Sequence, residues 1–334
     1  STFVSFAEYR WINKFHKINL LLGSMIVVYH IRWKMYEKFC IMVENPTIVR
    51  EKIQRRKEMT VKLIASDLDG TLLTDKKELS SGTRKALDMA AAQGIYIVPA
   101  TGRSFESVPA MIREYQGVEY LITANGGAVY STVEKRRIYQ QLLRPESVKA
   151  AIAVRKREQM VMEVVIDGVP YAEEEYVRDP IRYLATEYGA KYIRATRRPV
   201  KDIFQFAAEH VAELDSISFV CSHEDRDRLY RSLEDEIPDI YVTSSVSNLL
   251  EIGHKNAGKG KTLLWLLDYL GISPEEVMAF GDADNDSSML KAVKYGFAMG
   301  NATENCKKSA AYLTGTNTED GVASAILSYI RCEI

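Results

Sequence analysis

The chain lacks several of the features that place a protein in a broad class. It has no excess charge of one sign: 44 Lys+Arg stand against 45 Asp+Glu, a net charge of −1 over 334 residues. Nucleic acid, which calls for a basic surface, is therefore not indicated as a partner. Cysteine is scarce. Cys40, Cys221, Cys306 and Cys332 lie far apart with no CxxC spacing, which excludes a dense disulfide framework and fits reduced thiols in a cytoplasm. The most apolar run, residues 18–31, has 14 residues and contains Asn19, Ser24 and His30. A spanning helix needs about 20. No small-residue cleavage site follows the run, so a signal peptide is not indicated. The five histidines (16, 30, 210, 223, 254) show no ligand spacing, and no repeat or low-complexity tract occurs.

What is present is ordinary globular composition, 46% hydrophobic and 27% charged, which excludes a mostly disordered chain. The length suits two domains. The charge balance conceals an asymmetry. Residues 1–58 hold 11 Lys+Arg against 5 Asp+Glu and nine aromatics, so this segment reads as a separate N-terminal extension. Two readings stand for it. One is upstream or added sequence, since Met59 directly precedes a strand and a catalytic motif. The other is an accessory helix, with membrane-surface contact through residues 17–34 as a minor variant.

From residue 59 the pattern is α/β. Residues 61–66, 95–100 and 120–124 read as buried strands, and Ser80 or Ser81 caps a helix stopped at Gly94. Strands alternating with helices predict a doubly wound, Rossmann-like parallel sheet. Residues 144–247 break the rhythm. An Asp167-Gly168 turn between two β runs predicts a hairpin, flanked by helical stretches and strands read as half-exposed. This segment is predicted to be an inserted α+β domain. The core then comprises 59–143 and 248–334, with a helix over 259–270 stopped by Gly271 and strands over 277–280, 296–299 and 312–314. Arg194 to Lys201, with four basic residues in eight, reads as a solvated face of the insert.

Ligands of doubly wound sheets bind beyond the carboxyl ends of strands. Asp67-Leu-Asp69-Gly70-Thr71, Thr101-Gly102-Arg103 and Gly281-Asp282 all fall at such ends. Asp67, Asp69, Asp282 and Asp286 together form a set of acids that repel unless a cation joins them. Mg²⁺ suits oxygen ligands and a substrate phosphate. Lys259, Thr101 and the Gly102 amide offer positive charge and donors for that phosphate. Each motif alone has a plain structural reading: a DxD turn, a strand exit, a helix cap, a surface lysine. Their joint chemistry is phosphoryl transfer.

The set Asp67-Leu-Asp-Gly-Thr, Thr101-Gly-Arg, Lys259-Gly and Gly-Asp282-Ala-Asp-Asn285-Asp286 resembles the haloacid dehalogenase superfamily, and within it the Cof-like, type IIB phosphatases. The closing stretch from Gly296 is similar to theirs. Ala283 and Asn256 stand where those proteins often have Gly. The resemblance covers residues 60–334 and implies a core with an inserted cap between the second and third motifs. It implies Asp67 as nucleophile, Asp69 as general acid and base, and Lys259 as a catalytic cation. It places the phosphate on Thr101, Gly102, Lys259, Asn285 and the Leu68 amide. The metal would lie on Asp67, the Asp69 carbonyl and Asp282, with Asp286 in support and Arg103 near the substrate. The implied function is a Mg²⁺-dependent phosphatase of small cytoplasmic metabolites such as sugar phosphates, pyridoxal phosphate or flavin mononucleotide. The alternatives are a phosphomutase or phosphotransferase, or a phospho-ligand sensor without turnover. The partner is a small phosphomonoester.

Overall fold

The computed structural model describes residues 61–331, apart from 159 and 245–247. The expectations for residues 1–58, including a helix or membrane contact at 17–34, lie outside the described residues. Among the described residues no helix is long and apolar enough to cross a membrane.

Fourteen strands occur among the described residues. The first sheet contains β1 (Leu63–Ser66), β2 (Tyr96–Pro99), β12 (Val277–Gly281), β13 (Tyr295–Ala298) and β14 (Tyr312–Leu313). Its order is β14-β13-β12-β1-β2, and every pairing is parallel. The central strands β1 and β12 are buried along their whole length, as uninterrupted apolar runs require between two helical layers. The order makes the fold work as a site. It places β1 between β12, some 210 residues later, and β2, so three distant motifs emerge side by side. Beyond β2, an antiparallel meander of β3 (Tyr120–Thr123), β4 (Ala128–Ser131) and β5 (Arg136–Gln140) continues through a bridge from Ala100 to Ile122.

Helix Ser81–Ala91 starts at Ser80, whose side chain accepts from the Thr83 amide at 2.9 Å. Helix Lys259–Leu270 ends at Gly271. Both helices form where their capping residues predict.

The insert carries a second sheet: β6 (Val161–Ile166), β7 (Val169–Glu173), β8 (Arg198–Val200), β9 (Leu214–Val220), β10 (Ile240–Thr243) and β11 (Leu249–His254). Its order is β10-β11-β9-β6-β7-β8, antiparallel except for β7 with β8. Asp167 and Gly168 turn β6 into β7, both at positive φ, as a tight hairpin turn demands.

Two expectations differ here. The core was to resume at 248, but β11 pairs antiparallel with β9 and β10, so the inserted sheet extends to His254. The apolar run of β11 suits a core strand equally well; its partners decide where it goes. The sequence also predicts half-exposed cap strands: β7 alternates between buried and half-buried residues in that way, whereas every residue of β9 is buried. One face packs Met162, Val164, Ile217, Phe219, Leu250 and Ile252 beneath helices Pro145–Glu158, Ile203–Glu209 and Arg226–Glu236. The other face meets the core. The Glu106 amide donates to the Gly168 carbonyl at 3.0 Å, and Arg137 pairs with Asp215 at 2.6 Å.

Candidate active site

Asp67 is the first residue past β1. Its amide continues the parallel ladder, donating to the Phe280 carbonyl at 3.0 Å. The chain then turns sharply, with the Leu72 and Leu73 amides donating back to the Asp67 and Leu68 carbonyls. Gly70 makes this turn at φ +85°, and a Cβ there would lie 2.5 Å from Asp282 Oδ2. No other residue fits without moving the acid. Thr71 closes the loop, its hydroxyl donating to Asp282 Oδ1 at 2.5 Å.

Lys259 reaches this point from the start of its helix. Its side chain is 1% exposed, and Nζ donates to Asp67 Oδ1 and to Asp286 Oδ1, both at 2.6 Å. Gly260 permits the approach: a Cβ on it would lie 2.5 Å from the Ser288 backbone. Asp286 is itself fixed, with Oδ2 accepting from the Asp282 and Ala283 amides at 3.0 Å each. Burial lowers the pKa of Lys259, but the charges of Asp286 and Asp67 outweigh it and the net shift is upward. The ammonium therefore persists through the physiological range.

The acids remain in excess. Oxygens of Asp67, Asp282 and Asp286 lie within 4.8 Å of one another. Burial raises the pKa of Asp67, Lys259 lowers it, and Asp286, Asp282 and Asp69 raise it further; the net result is well above the ordinary carboxylate value. Burial, followed by the charge of Asp286, pushes Asp282 up to about 6. One lysine cannot neutralise three carboxylates, two of them buried and the third half-buried, and a hard divalent cation with oxygen preference fits the remainder. The donor set thus suits the expected metal.

Asp69 points elsewhere. Arg103 grips it with two bonds, Nε to Oδ2 at 2.6 Å and Nη2 to Oδ1 at 2.8 Å, and Lys77 Nζ lies 2.9 Å from Oδ1. Burial raises its pKa, but Arg103 and Lys77 prevail and bring it down to about 2. Arg103 also donates to the Ser107 carbonyl, and its guanidinium lies 4.8 Å from the ring centre of Tyr192 in the cap.

Thr101 is buried beside these groups, accepting the Arg103 amide at 3.1 Å. Asn285 Nδ2 donates to Asn125 Oδ1 at 2.9 Å, while Asn285 Oδ1 is buried without a partner. A Cβ on Gly102 would come within 3.1 Å of the Asn125 amide group, so Gly102 and Asn285 meet at Asn125. The structure therefore gathers Asp67, Lys259, Asp282 and Asp286 into one cluster, with Thr101, Gly102 and Asn285 alongside. It holds Asp69 on a separate pair of cations.

Sequence reasoning passed over Asn125, Thr71, Lys77 and Tyr192. Thr71 lies in the motif that follows β1, and Asn125 follows β3 in the same way; position at a strand exit was the available signal. Lys77 and Tyr192 had none. Arg197, part of the basic stretch expected to be solvated, is instead only partly exposed and pairs with the buried Glu163 at 2.7 Å. His254 is also buried, and its Nδ1 accepts the Asn256 amide at 3.2 Å.

Residues 64–326 match the haloacid dehalogenase-like hydrolases, and the chain belongs to that family. Among its relatives is the 5-amino-6-(5-phospho-D-ribitylamino)uracil phosphatase YcsE of Bacillus subtilis, 28% identical over 83% of this chain and 98% of that protein. The pyridoxal phosphate phosphatase YbhA of Escherichia coli is 30% identical over 81% of this chain and 100% of that protein. A crystal structure of a haloacid dehalogenase-like hydrolase from Bacteroides thetaiotaomicron superposes with a TM-score of 0.67 at 32% identity, covering 80% of this chain and 98% of that one. The chain is therefore a hydrolase with the core-and-cap architecture of this family, of its phosphatase kind.

Proposed function

We propose that the protein is a Mg²⁺-dependent phosphomonoesterase of small phosphorylated metabolites, working through an aspartyl-phosphate on Asp67. The observation that carries this reading is the junction of Asp67, Lys259, Asp282 and Asp286 at the ends of β1 and β12. The phosphatase relatives support it, and pyridoxal phosphate, sugar phosphates and flavin mononucleotide are the substrate classes to try first. The carboxylates of Asp67 and Asp282 and the Asp69 carbonyl would hold Mg²⁺. When bound, the ion neutralises acids that would otherwise repel the phosphate dianion.

Lys259, kept in place by Asp286, offers its ammonium to a phosphate oxygen. The Leu68 and Gly102 amides, the Thr101 hydroxyl and the Asn285 side chain supply further donors. An Asp67 oxygen attacks phosphorus as the bond to the alcohol breaks, and Asp69 gives the departing oxygen a proton. Asp69 then takes a proton from water as that water attacks the acyl phosphate, which frees inorganic phosphate and Asp67. Proton donation requires Asp69 to leave Arg103, because a carboxyl held at about 2 is ionised near neutrality and carries no proton to give.

Phosphate release from a panel of metabolite monoesters, in Mg²⁺ and in EDTA, tests the reading. Release in Mg²⁺ that falls at least about 100-fold in EDTA is expected. Undiminished release in EDTA would contradict it. Tight binding of one ester with no release from any would instead favour a sensor.

A further inference from the structure

The chain from Asp67 to Ser80 carries the Asp67 carboxylate and the Asp69 carbonyl. It contains no helix and, apart from one bridge between Asp69 and Leu73, no strand. A run of turns is soft by itself, whereas Mg²⁺ demands near-ideal octahedral geometry from its ligands. The loop needs bracing from outside.

Three residues near the C-terminal end of the chain brace it. Asn301, in the loop after β13, donates from Nδ2 to the Gly70 carbonyl at 2.8 Å. Gly70 directly follows the Asp69 carbonyl and sits at φ +85°, so its own backbone imposes little on that peptide. Asn317, only 8% exposed, donates from Nδ2 to the Leu73 carbonyl and to Asp75 Oδ1, each at 3.0 Å. Asp320 accepts from the Ser80 hydroxyl, where the loop ends. The two asparagines are joined, because the Asn317 amide donates to Asn301 Oδ1 at 3.1 Å. That bond fixes which way Asn301 faces. A main-chain N–H only donates and a carbonyl only accepts, so Oδ1 must meet Asn317 and Nδ2 must meet Gly70.

The loop after β13 also reaches the other acid-bearing turn. The Met299 amide donates to the Gly281 carbonyl at 3.0 Å, and the Thr303 amide to the Asp282 carbonyl at 2.8 Å. Residues 299–303 are therefore tied to both turns, at Gly70 beside the Asp69 carbonyl and at Gly281 and Asp282. The spacing of the two turns depends on this short segment. Asn301 is exposed, and its side chain would lose little by bonding water instead. What its two bonds fix is position.

We propose that Asn301 and Asn317 are positioning residues of the metal site. They hold the Asp69 carbonyl in register with Asp67 and Asp282, and so set the affinity for Mg²⁺ and its preference over the larger, geometrically tolerant Ca²⁺. The inference rests on the metal assignment above and extends it to residues outside that donor set.

Calorimetric titration of the full chain with Mg²⁺, and separately with Ca²⁺, tests it in wild type, Asn301→Ala, Asn317→Ala and Ser147→Ala. The last is a control that loses a hydrogen bond within the cap, from the buried Ser147 to the Pro238 carbonyl. Mg²⁺ affinity is expected to fall about tenfold in each asparagine variant, and Ca²⁺ affinity by less than about threefold. Neither should change in Ser147→Ala. At saturating Mg²⁺, kcat should stay within about threefold of wild type. Asn301 is exposed, so Asn301→Ala alone decides the matter should Asn317→Ala fail to fold. Unchanged Mg²⁺ affinity in Asn301→Ala overturns the proposal, as does an equal loss for both ions or the same loss in Ser147→Ala. Failure of wild type to bind Mg²⁺ overturns the metal assignment itself, and the proposal with it.

Discussion

Asp67→Asn is expected to lower kcat by at least about 10⁴-fold on every substrate the enzyme accepts, as loss of a nucleophile does. The fold should survive. Asn has nearly the same shape, and the substitution removes a carboxylate whose pKa stands well above normal because burial and three neighbouring acids oppose its charge. The sign follows from that direction. A carboxyl with a raised folded pKa favours the protonated native state, so its ionised form costs stability near neutrality. The variant should therefore unfold at an equal or higher urea concentration than wild type in EDTA. In wild type, Mg²⁺ raises the unfolding midpoint, and in Asp67→Asn that gain should shrink. A variant that keeps a tenth of wild-type kcat would contradict the nucleophile assignment.

Lys259→Met acts on both stability and rate. The ammonium is 1% exposed and lies 2.6 Å from an oxygen of Asp67 and from one of Asp286. Removing one partner of a buried ion pair leaves the others uncompensated, a loss of about 3–5 kcal/mol. Urea denaturation in EDTA measures it. Part of the loss should return in Mg²⁺, because the ion neutralises the same acids. Activity should not return with it: loss of a charged phosphate contact is expected to lower kcat/KM about 10³-fold even at saturating Mg²⁺. Wild-type stability in EDTA would show that Asp67 and Asp286 do not depend on the lysine.

The proposed catalytic cluster was legible because each member sits at a strand exit or helix start that the chain itself marks. Gly70, Gly102, Gly260 and Gly281 flank the acids, the threonine and the lysine, and apolar runs fix the strands before them. What joins the motifs is strand order, and one chain in isolation does not state it. The adjacency of β1 with β12 follows from the family resemblance rather than from residue spacing. The state of Asp69 was not legible. Its carboxylate is set by Arg103, 34 residues away, and by Lys77, and neither pairing has a local signature. A polar row of the cap was hidden for a similar reason. Glu163, Ser218, Glu251 and Thr243 are cross-strand neighbours in the cap sheet, but they come from four separated strands, and no pattern within any one strand marks them. The same ambiguity misplaced β11. Its sequence suits either sheet, and only antiparallel partners in the insert decide the matter.

The central claim is a covalent phosphate on Asp67. Wild-type enzyme and excess labelled monoester, mixed for milliseconds, quenched in acid and reduced with borohydride, would convert an acyl phosphate into the corresponding alcohol. Peptide mass spectrometry then locates it. The account predicts homoserine at position 67 and at no other aspartate, absent when substrate is omitted. An unmodified Asp67 together with inversion of configuration at phosphorus would show direct attack by water, and would contradict it.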